Sequence, residues 1–519
     1  MREKNILSGG SVVTGLRWRL SAADPLNLIW IMPAQGRYKG MQPPRPGAFF
    51  FEGERMTPVR AFQKIIPRFQ TPPEWGIEPV PRDHRVLGFM DFMVLWGDLG
   101  IGLLVMLTGT FLVPGLGLGS ALLAILIGSA GGCLLLALIG AVGSSTGAPT
   151  MVLMRPVLGV RGSYAPTILN VLQLIGWTIF EFVVMGVAAS VIARTLFGTG
   201  SYAVWAAVFA AIVIVMGVGG PIGVVRQWLE KFAVWIALAT GVWLTVHAFS
   251  TFNVPALLRQ PGDGSLSFGS GVDLAIALPI SWLPLVADYN RFSRSTRQGF
   301  WGTMLGFFIT NAWFLSLGVL LLLGSKVAQE PKDFASAIAL TAGWIALLIL
   351  LADETHNAWA DLYSSAVSIQ NLFPKVKQRW LIVGLGAACF LVAVFLDITR
   401  YQNFLYLIGS FFVPLFGLLT ADFFVLRRRR YRVEEFYRVK GAYKGVKVSA
   451  MIAWVAGIAT YHLANPATLG AIFPEWQKLV PSSIGLAGGS LPSFAVAFLL
   501  CLAFGYAERS RGKGPEDTE

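Results

Sequence analysis

Charge is scarce in this chain: 13% of its 519 residues are Asp, Glu, Lys or Arg against 55% hydrophobic ones, and the mean hydropathy is +0.63. That scarcity excludes an ordinary soluble domain, in which about a quarter of the residues carry charge. Cysteine is nearly absent too. Cys133, Cys389 and Cys501 stand in separate apolar segments, with no C-x-x-C pair and no Cys/His cluster. Neither a disulfide framework nor a thiolate metal site is therefore expected, and the three read as small core hydrophobes. No nucleophile, metal or cofactor motif is found, so the sequence does not read as an enzyme. A net charge of +13 would suggest nucleic acid in a soluble protein, but here the basic residues gather in alternate loops.

What the chain has in plenty is long apolar runs. A bilayer core of about 30 Å takes roughly 20 residues of helix, and twelve spans are predicted at 88–113, 119–142, 164–193, 202–219, 227–249, 271–287, 299–324, 336–368, 380–396, 402–426, 447–464 and 484–506. The 57 Gly suit helices that pack closely or break in lipid, and 17 Trp with 36 Phe suit aromatic belts. Basic loops such as "RPVLGVRG", "RFSRSTRQ", "PKVKQR" and the run from Arg427 to Arg430 alternate with loops poor in net positive charge. By the positive-inside rule this predicts both termini in the cytoplasm of a multi-pass cell-membrane (inner-membrane) protein. The chain divides into a Pro-rich tail at 1–85, partly disordered by composition, a transmembrane domain at 86–508 and a short tail at 509–519. Synthesis beginning at Met41 or Met56 is an alternative for the first part. Oligomeric state is not legible.

Two spans have interrupted interiors. The first carries Gly97, Asp98, Gly100 and Gly102, and the sixth carries Pro279 and Pro284. Breaks at corresponding positions of two halves point to inverted five-helix repeats with a midplane site lined by unwound backbone. An ionisable side chain within a span is a functional candidate by default. Trp177 and Glu181 are four apart, on one helix face. An indole beside a carboxylate suits a flat polar heterocycle, by stacking and by accepting hydrogen bonds from an amino group and a ring N–H. The bland alternative is a structural acid held by nearby donors. Trp282, between the two prolines, offers a second ring face. In the eighth span "LLADETHNAWADLYSS" sets Asp353, Asn357 and Asp361 at i, i+4 and i+8, with Glu354, Thr355 and His356 to the sides. Such a stripe can line a cavity, coordinate a hard cation or relay a proton.

"STGAPTMVLMRPVLGVRGS", "NVLQLIGW", "ADYNRFSR", "ETHNAWADLYSSAVSIQNLFP" and "FFVPLFGLLTADFFVLRRRRY" together resemble the nucleobase cation symporter family, the purine, cytosine and allantoin permeases, over about residues 74 to 505. "WGIEPVP" and the eighth-span motif are most similar to its bacterial branch assigned to hydroxymethylpyrimidine, a thiamin precursor. The resemblance implies the fold of two five-helix repeats with two additional C-terminal helices, about twelve in all, and cation-coupled import of a small heterocycle. It implies substrate contacts at Trp177, Glu181, Trp282, Asn357 and Asp361. It puts a sodium site, where the family has one, on backbone from Gly100 to Leu103, the carbonyl of Ala352, and Thr355 with His356. Histidine replaces the second hydroxyl there, so Na⁺ and H⁺ both stay open as coupling ion, with Asp353 and Glu354 nearby. No other cofactor and no nucleic acid is implied.

Overall fold

Among the described residues the twelve apolar stretches are helical, because backbone amides in lipid have to be satisfied within the segment. The computed structural model describes residues 77–219, 223–325, 330–372, 376–438, 441–470, 473, 475–476, 480 and 488–510. Both expected tails therefore lie largely outside the described residues. The first span is Phe89–Asp98 with Leu103–Thr110, and the second to fifth are Leu118–Thr146, Tyr164–Phe197, Tyr202–Gly219 and Gly223–Thr251. The sixth is Phe268–Ser281 with Leu283–Asn290, and the seventh to ninth are Thr296–Gly324, Trp344–Leu372 and Gln378–Phe395. The tenth is Tyr401–Thr420, prolonged by a π turn over Ala421–Leu426, and Val448–Ala464 and Ser490–Ser510 close the chain. No strand occurs among the described residues, only an isolated bridge between Leu87 and Ser293. Phe395, Leu491 and Val215 are among the large apolar side chains left on the outside, where lipid would cover them.

Three boundaries differ from the sequence reading. Residues from 77 already pack on the domain: Val80 is buried, and Arg85 donates from Nε to the Val80 carbonyl (3.0 Å) and from Nη1 to the Ser144 carbonyl (3.0 Å). The expected eighth span at 336–368 is two helices, because Gly343 at φ 85° ends Phe334–Ala342 before Trp344–Leu372 begins. The last helix runs on to Ser510.

Helix packing carries the repeat. Exchanging spans one to five for six to ten turns the contact of first with seventh into that of sixth with second, and ninth with third into fourth with eighth; all four contacts are made. Corresponding spans also face each other, second on seventh, third on eighth and fourth on ninth. The result is two groups. Spans one, two, six and seven pack together, spans three, four, eight and nine pack together, and the groups meet thinly. The eleventh and twelfth spans lie beside the tenth.

Candidate functional site

The two groups part around a cleft, and the breaks in the first and sixth spans decide what faces it. In the first span the helix stops at Asp98 and resumes at Leu103 with a bend of 62°. Gly102 takes φ 148°, ψ 167°, a conformation costly for any residue with a Cβ. The second half-helix starts with amides that lack intrahelical acceptors. One of them finds a partner in the other group: the Leu104 N–H donates to Glu354 Oε1 at 2.7 Å. Glu354 is buried, and Asn357 Nδ2 donates to its second oxygen at 3.4 Å. A carboxylate at the positive end of a half-helix is a favourable charge–dipole arrangement.

The sixth span is interrupted more gently, at Trp282, whose backbone stays right-handed (φ −88°, ψ −10°). The Leu285 amide bonds to the Trp282 carbonyl at 3.0 Å, which leaves the Ser281 carbonyl free of the helix. Gln173 of the third span takes it, its Nε2 donating to Ser281 O at 3.0 Å and to Asn170 Oδ1 at 3.0 Å.

The cleft encloses about 540 Å³ with its open mouth included. Trp177, Glu181, Trp282, Asn357 and Asp361 all line it. Both indoles are held by other rings: Trp177 stands edge-on to Tyr401 (5.8 Å) and Phe404 (5.4 Å), and Trp282 edge-on to Trp96 (6.4 Å). Trp96 is fixed in turn by its Nε1 donating to Asn290 Oδ1 at 3.1 Å. Glu181 is buried, and its Oε2 has no hydrogen-bond partner in the protein.

The eighth-span stripe is rotated from the one expected. Asp353 is buried but does not line the cleft, whereas Glu354 does. At about 100° per residue, Glu354, Asn357 and Asp361 fall within about 60° of one another, and Asp353 lies about 100° from Glu354. Spacing of i+3 and i+7 wins over i+4 and i+8 here. Gln173 is a second lining residue the sequence reading passed over, although Gln173, Trp177 and Glu181 stand at i, i+4 and i+8 of one helix face.

The cation candidates are distributed differently. Gly100, Leu103, Ala352, Asp353, Thr355 and His356 are not among the lining residues. Gly100 abuts Thr310 and Asn311 of the seventh span, and Leu103 is buried at the start of its half-helix. Ala352 is exposed, and the His356 ring stacks with Trp359 at 6.3 Å. The Thr355 hydroxyl donates to the Leu351 carbonyl at 3.1 Å. Among the described residues no group of three or more His, Cys, Asp or Glu side chains converges as a metal cage.

Residues 79–501 match the family described as the permease for cytosine/purines, uracil, thiamine, allantoin. The chain belongs to this family. Among curated relatives, it is 23% identical to the hydantoin permease of Microbacterium maritypicum over 431 residues, 78% of this chain and 86% of that one. It is 25% identical to the cytosine permease of Escherichia coli (strain K12) over 396 residues, 74% of this chain and 88% of that one. Among solved structures, the inward-facing conformation of Mhp1 matches with a TM-score of 0.69 at 19% identity, covering 85% of this chain and 95% of that one. The closed conformation of Mhp1, a nucleobase-cation-symport-1 family transporter with bromovinylhydantoin bound, gives 0.68 at 20% identity, covering 86% and 98%. At that identity the likeness establishes the fold: a polytopic helical protein of two five-helix repeats with broken first and sixth helices and two further C-terminal helices.

Proposed function

We propose that this family member is a secondary active, cation-coupled importer of an aminopyrimidine, hydroxymethylpyrimidine or cytosine, with the cleft between the two helix groups as its alternating-access site. It acts as a multi-pass cell-membrane protein with both termini cytoplasmic, takes Na⁺ or H⁺ as the coupling ion, and is not an enzyme. The observation that carries the reading is the buried Glu181 carboxylate with an unpartnered oxygen, on the helix face of Trp177 and in one cleft lining with Asp361 and Asn357. A 4-aminopyrimidine stacked on the indole would fill that vacancy with its amino group and with the adjacent ring nitrogen when protonated. Uracil offers a carbonyl oxygen at the same place, an acceptor against an acceptor. In this reading Trp177 and Trp282 supply the ring faces, Glu181 the recognition of the amino edge, and Asp361 with Asn357 the contacts from the eighth span.

A purine or allantoin substrate is the second reading, favoured by relatives such as the allantoin permease of Bacillus subtilis, 25% identical over 366 residues. A channel or non-transporting sensor on the same fold is the reading from another class. One experiment separates them: uptake of labelled hydroxymethylpyrimidine, cytosine, purines and allantoin by proteoliposomes under separately imposed Na⁺ and H⁺ gradients. Accumulation of an aminopyrimidine above equilibrium, only with a gradient, supports the importer. Accumulation of purine or allantoin alone selects the second reading, and equilibration without gradient dependence selects the channel.

A further inference from the structure

We infer that Gln173 is a specificity-determining residue that presents only a carbonyl to the substrate, so the cleft demands a ring N–H on the edge opposite the one Glu181 reads. The inference rests on the aminopyrimidine reading for its choice of probe, and on the break in the sixth span for its physics.

A glutamine amide facing a cleft is ordinarily ambivalent, since rotation about its last torsion exchanges donor for acceptor. Gln173 cannot exchange them. Its Nε2 is 3.0 Å from the Ser281 carbonyl, which is a backbone acceptor in any orientation and was left without its helical partner when Leu285 bonded to Trp282. Turning the amide over would set its oxygen against that carbonyl, lone pair against lone pair, and orphan a buried acceptor. Asn170 Oδ1 takes the second amide hydrogen at 3.0 Å, which uses both donors. What remains is Oε1: a fully buried oxygen without a partner, on a residue 4% exposed that lines the cleft.

Gln173, Trp177 and Glu181 follow at i, i+4 and i+8, about 12 Å from end to end along the third span. The wall thus reads acceptor, ring face, acceptor. A ring stacked on Trp177 with its amino edge toward Glu181 turns the opposite ring atom toward Gln173 Oε1. In cytosine that atom is N1–H, a donor. In hydroxymethylpyrimidine it is a bare ring nitrogen, an acceptor facing an acceptor. The substrate class is therefore a heterocycle with donors on both edges, and between the two candidates cytosine fits.

The test is competition for labelled cytosine uptake in proteoliposomes of the full-length protein by cytosine and by 1-methylcytosine. Loss of one buried hydrogen bond costs on the order of 10-fold or more in apparent affinity, so the methylated ring is expected to compete at least about 10-fold more weakly in the wild type. In Gln173→Leu the gap should close to about threefold or less, through a weaker KM for cytosine at little-changed kcat. Gln173→Glu, whose protonated carboxyl can donate its O–H to the Ser281 carbonyl and keep its C=O as an acceptor in the cleft, should retain the gap, and it guards against a Leu variant that does not assemble. A gap that survives in Gln173→Leu, or one absent from the wild type, overturns the inference. Failure of the aminopyrimidine reading looks different: the wild type takes up no cytosine at all, and the same N–H against N-methyl pair is then run on whichever heterocycle it does transport.

Discussion

Buried acids in this protein are of two kinds, and Asp273 and Glu181 stand for them. Asp273, at the start of the sixth span, has its oxygens filled by the amides of Gly489 (2.6 Å) and Ser490 (2.9 Å) and by Asn465 Nδ2 (3.0 Å). Asp422, at the end of the tenth, accepts from the Tyr431 hydroxyl at 2.7 Å, with Arg427 Nε at 3.7 Å and Lys447 Nζ at 4.0 Å. Glu181 is buried as well, 4% exposed against 1% for each of those two, and has an oxygen that nothing in the protein fills. Burial alone therefore says little about function in a membrane protein. The informative quantity is whether the lone pairs are already spoken for, since an unmet buried acceptor costs enough that something outside the chain has to be expected there.

The comparison can be broken where its effects are largest. Asp273→Ala should leave three buried donors without a partner and lower stability by about 3–5 kcal/mol, read as a fall in Tm of the purified protein in detergent. The fraction that remains folded should bind substrate with unchanged Kd. Glu181→Ala should do the reverse, leaving Tm near the wild-type value and abolishing uptake, because losing a buried charged hydrogen-bond pair costs about 2–5 kcal/mol of binding. Normal uptake by that variant would remove Glu181 from the site, and Glu181→Gln is expected to change which heterocycle competes best. Gly102→Ala tests the break that brings Glu354 to the first span. Its φ of 148° and a Glu354 oxygen 2.9 Å from where the new Cβ would sit add strain of about 1–3 kcal/mol, expected as a lower uptake rate in a protein that still reaches the membrane. Trp177→Ala is the gentlest of the set: lost stacking of about 0.5–1.5 kcal/mol should weaken KM several-fold while kcat changes little, measured in the same uptake assay.

Much of this was legible beforehand, residue by residue. The twelve spans follow from hydropathy, and the glycines of the first span and prolines of the sixth announced interruptions that the structure contains. They did not announce how unequal these would be: a 62° bend at Gly102 against one right-handed residue at Trp282. Glycine permits a range of backbone angles and the packing of neighbours selects one, whereas proline removes a helical hydrogen bond but holds its own φ in the helical region, and here Phe268–Asn290 stays a single span. Trp177, Glu181, Trp282, Asn357 and Asp361 were picked from spacing, and one cleft gathers them. The eighth-span stripe was drawn through Asp353 because two i+4 steps look like one face, yet i+3 and i+7 neighbours lie on one face equally well. Only the helix packed opposite could choose between them.

What the sequence determined by itself is local in origin: helix where apolar runs meet lipid, a break where Gly or Pro weakens the backbone, and acids at membrane depth that require an explanation. What the tertiary structure decided is which lone pairs are left over. Asp273 and Glu181 are indistinguishable as letters inside apolar runs. They differ because Asn465, Gly489 and Ser490 arrive at one from far along the chain and no donor arrives at Oε2 of the other. Gln173 is the sharpest instance, for its side chain became a one-sided acceptor only when a carbonyl released more than a hundred residues away was packed against it. Hydrogen-bond vacancies are set by which segments meet in space, and a one-dimensional pattern carries the groups without their partners.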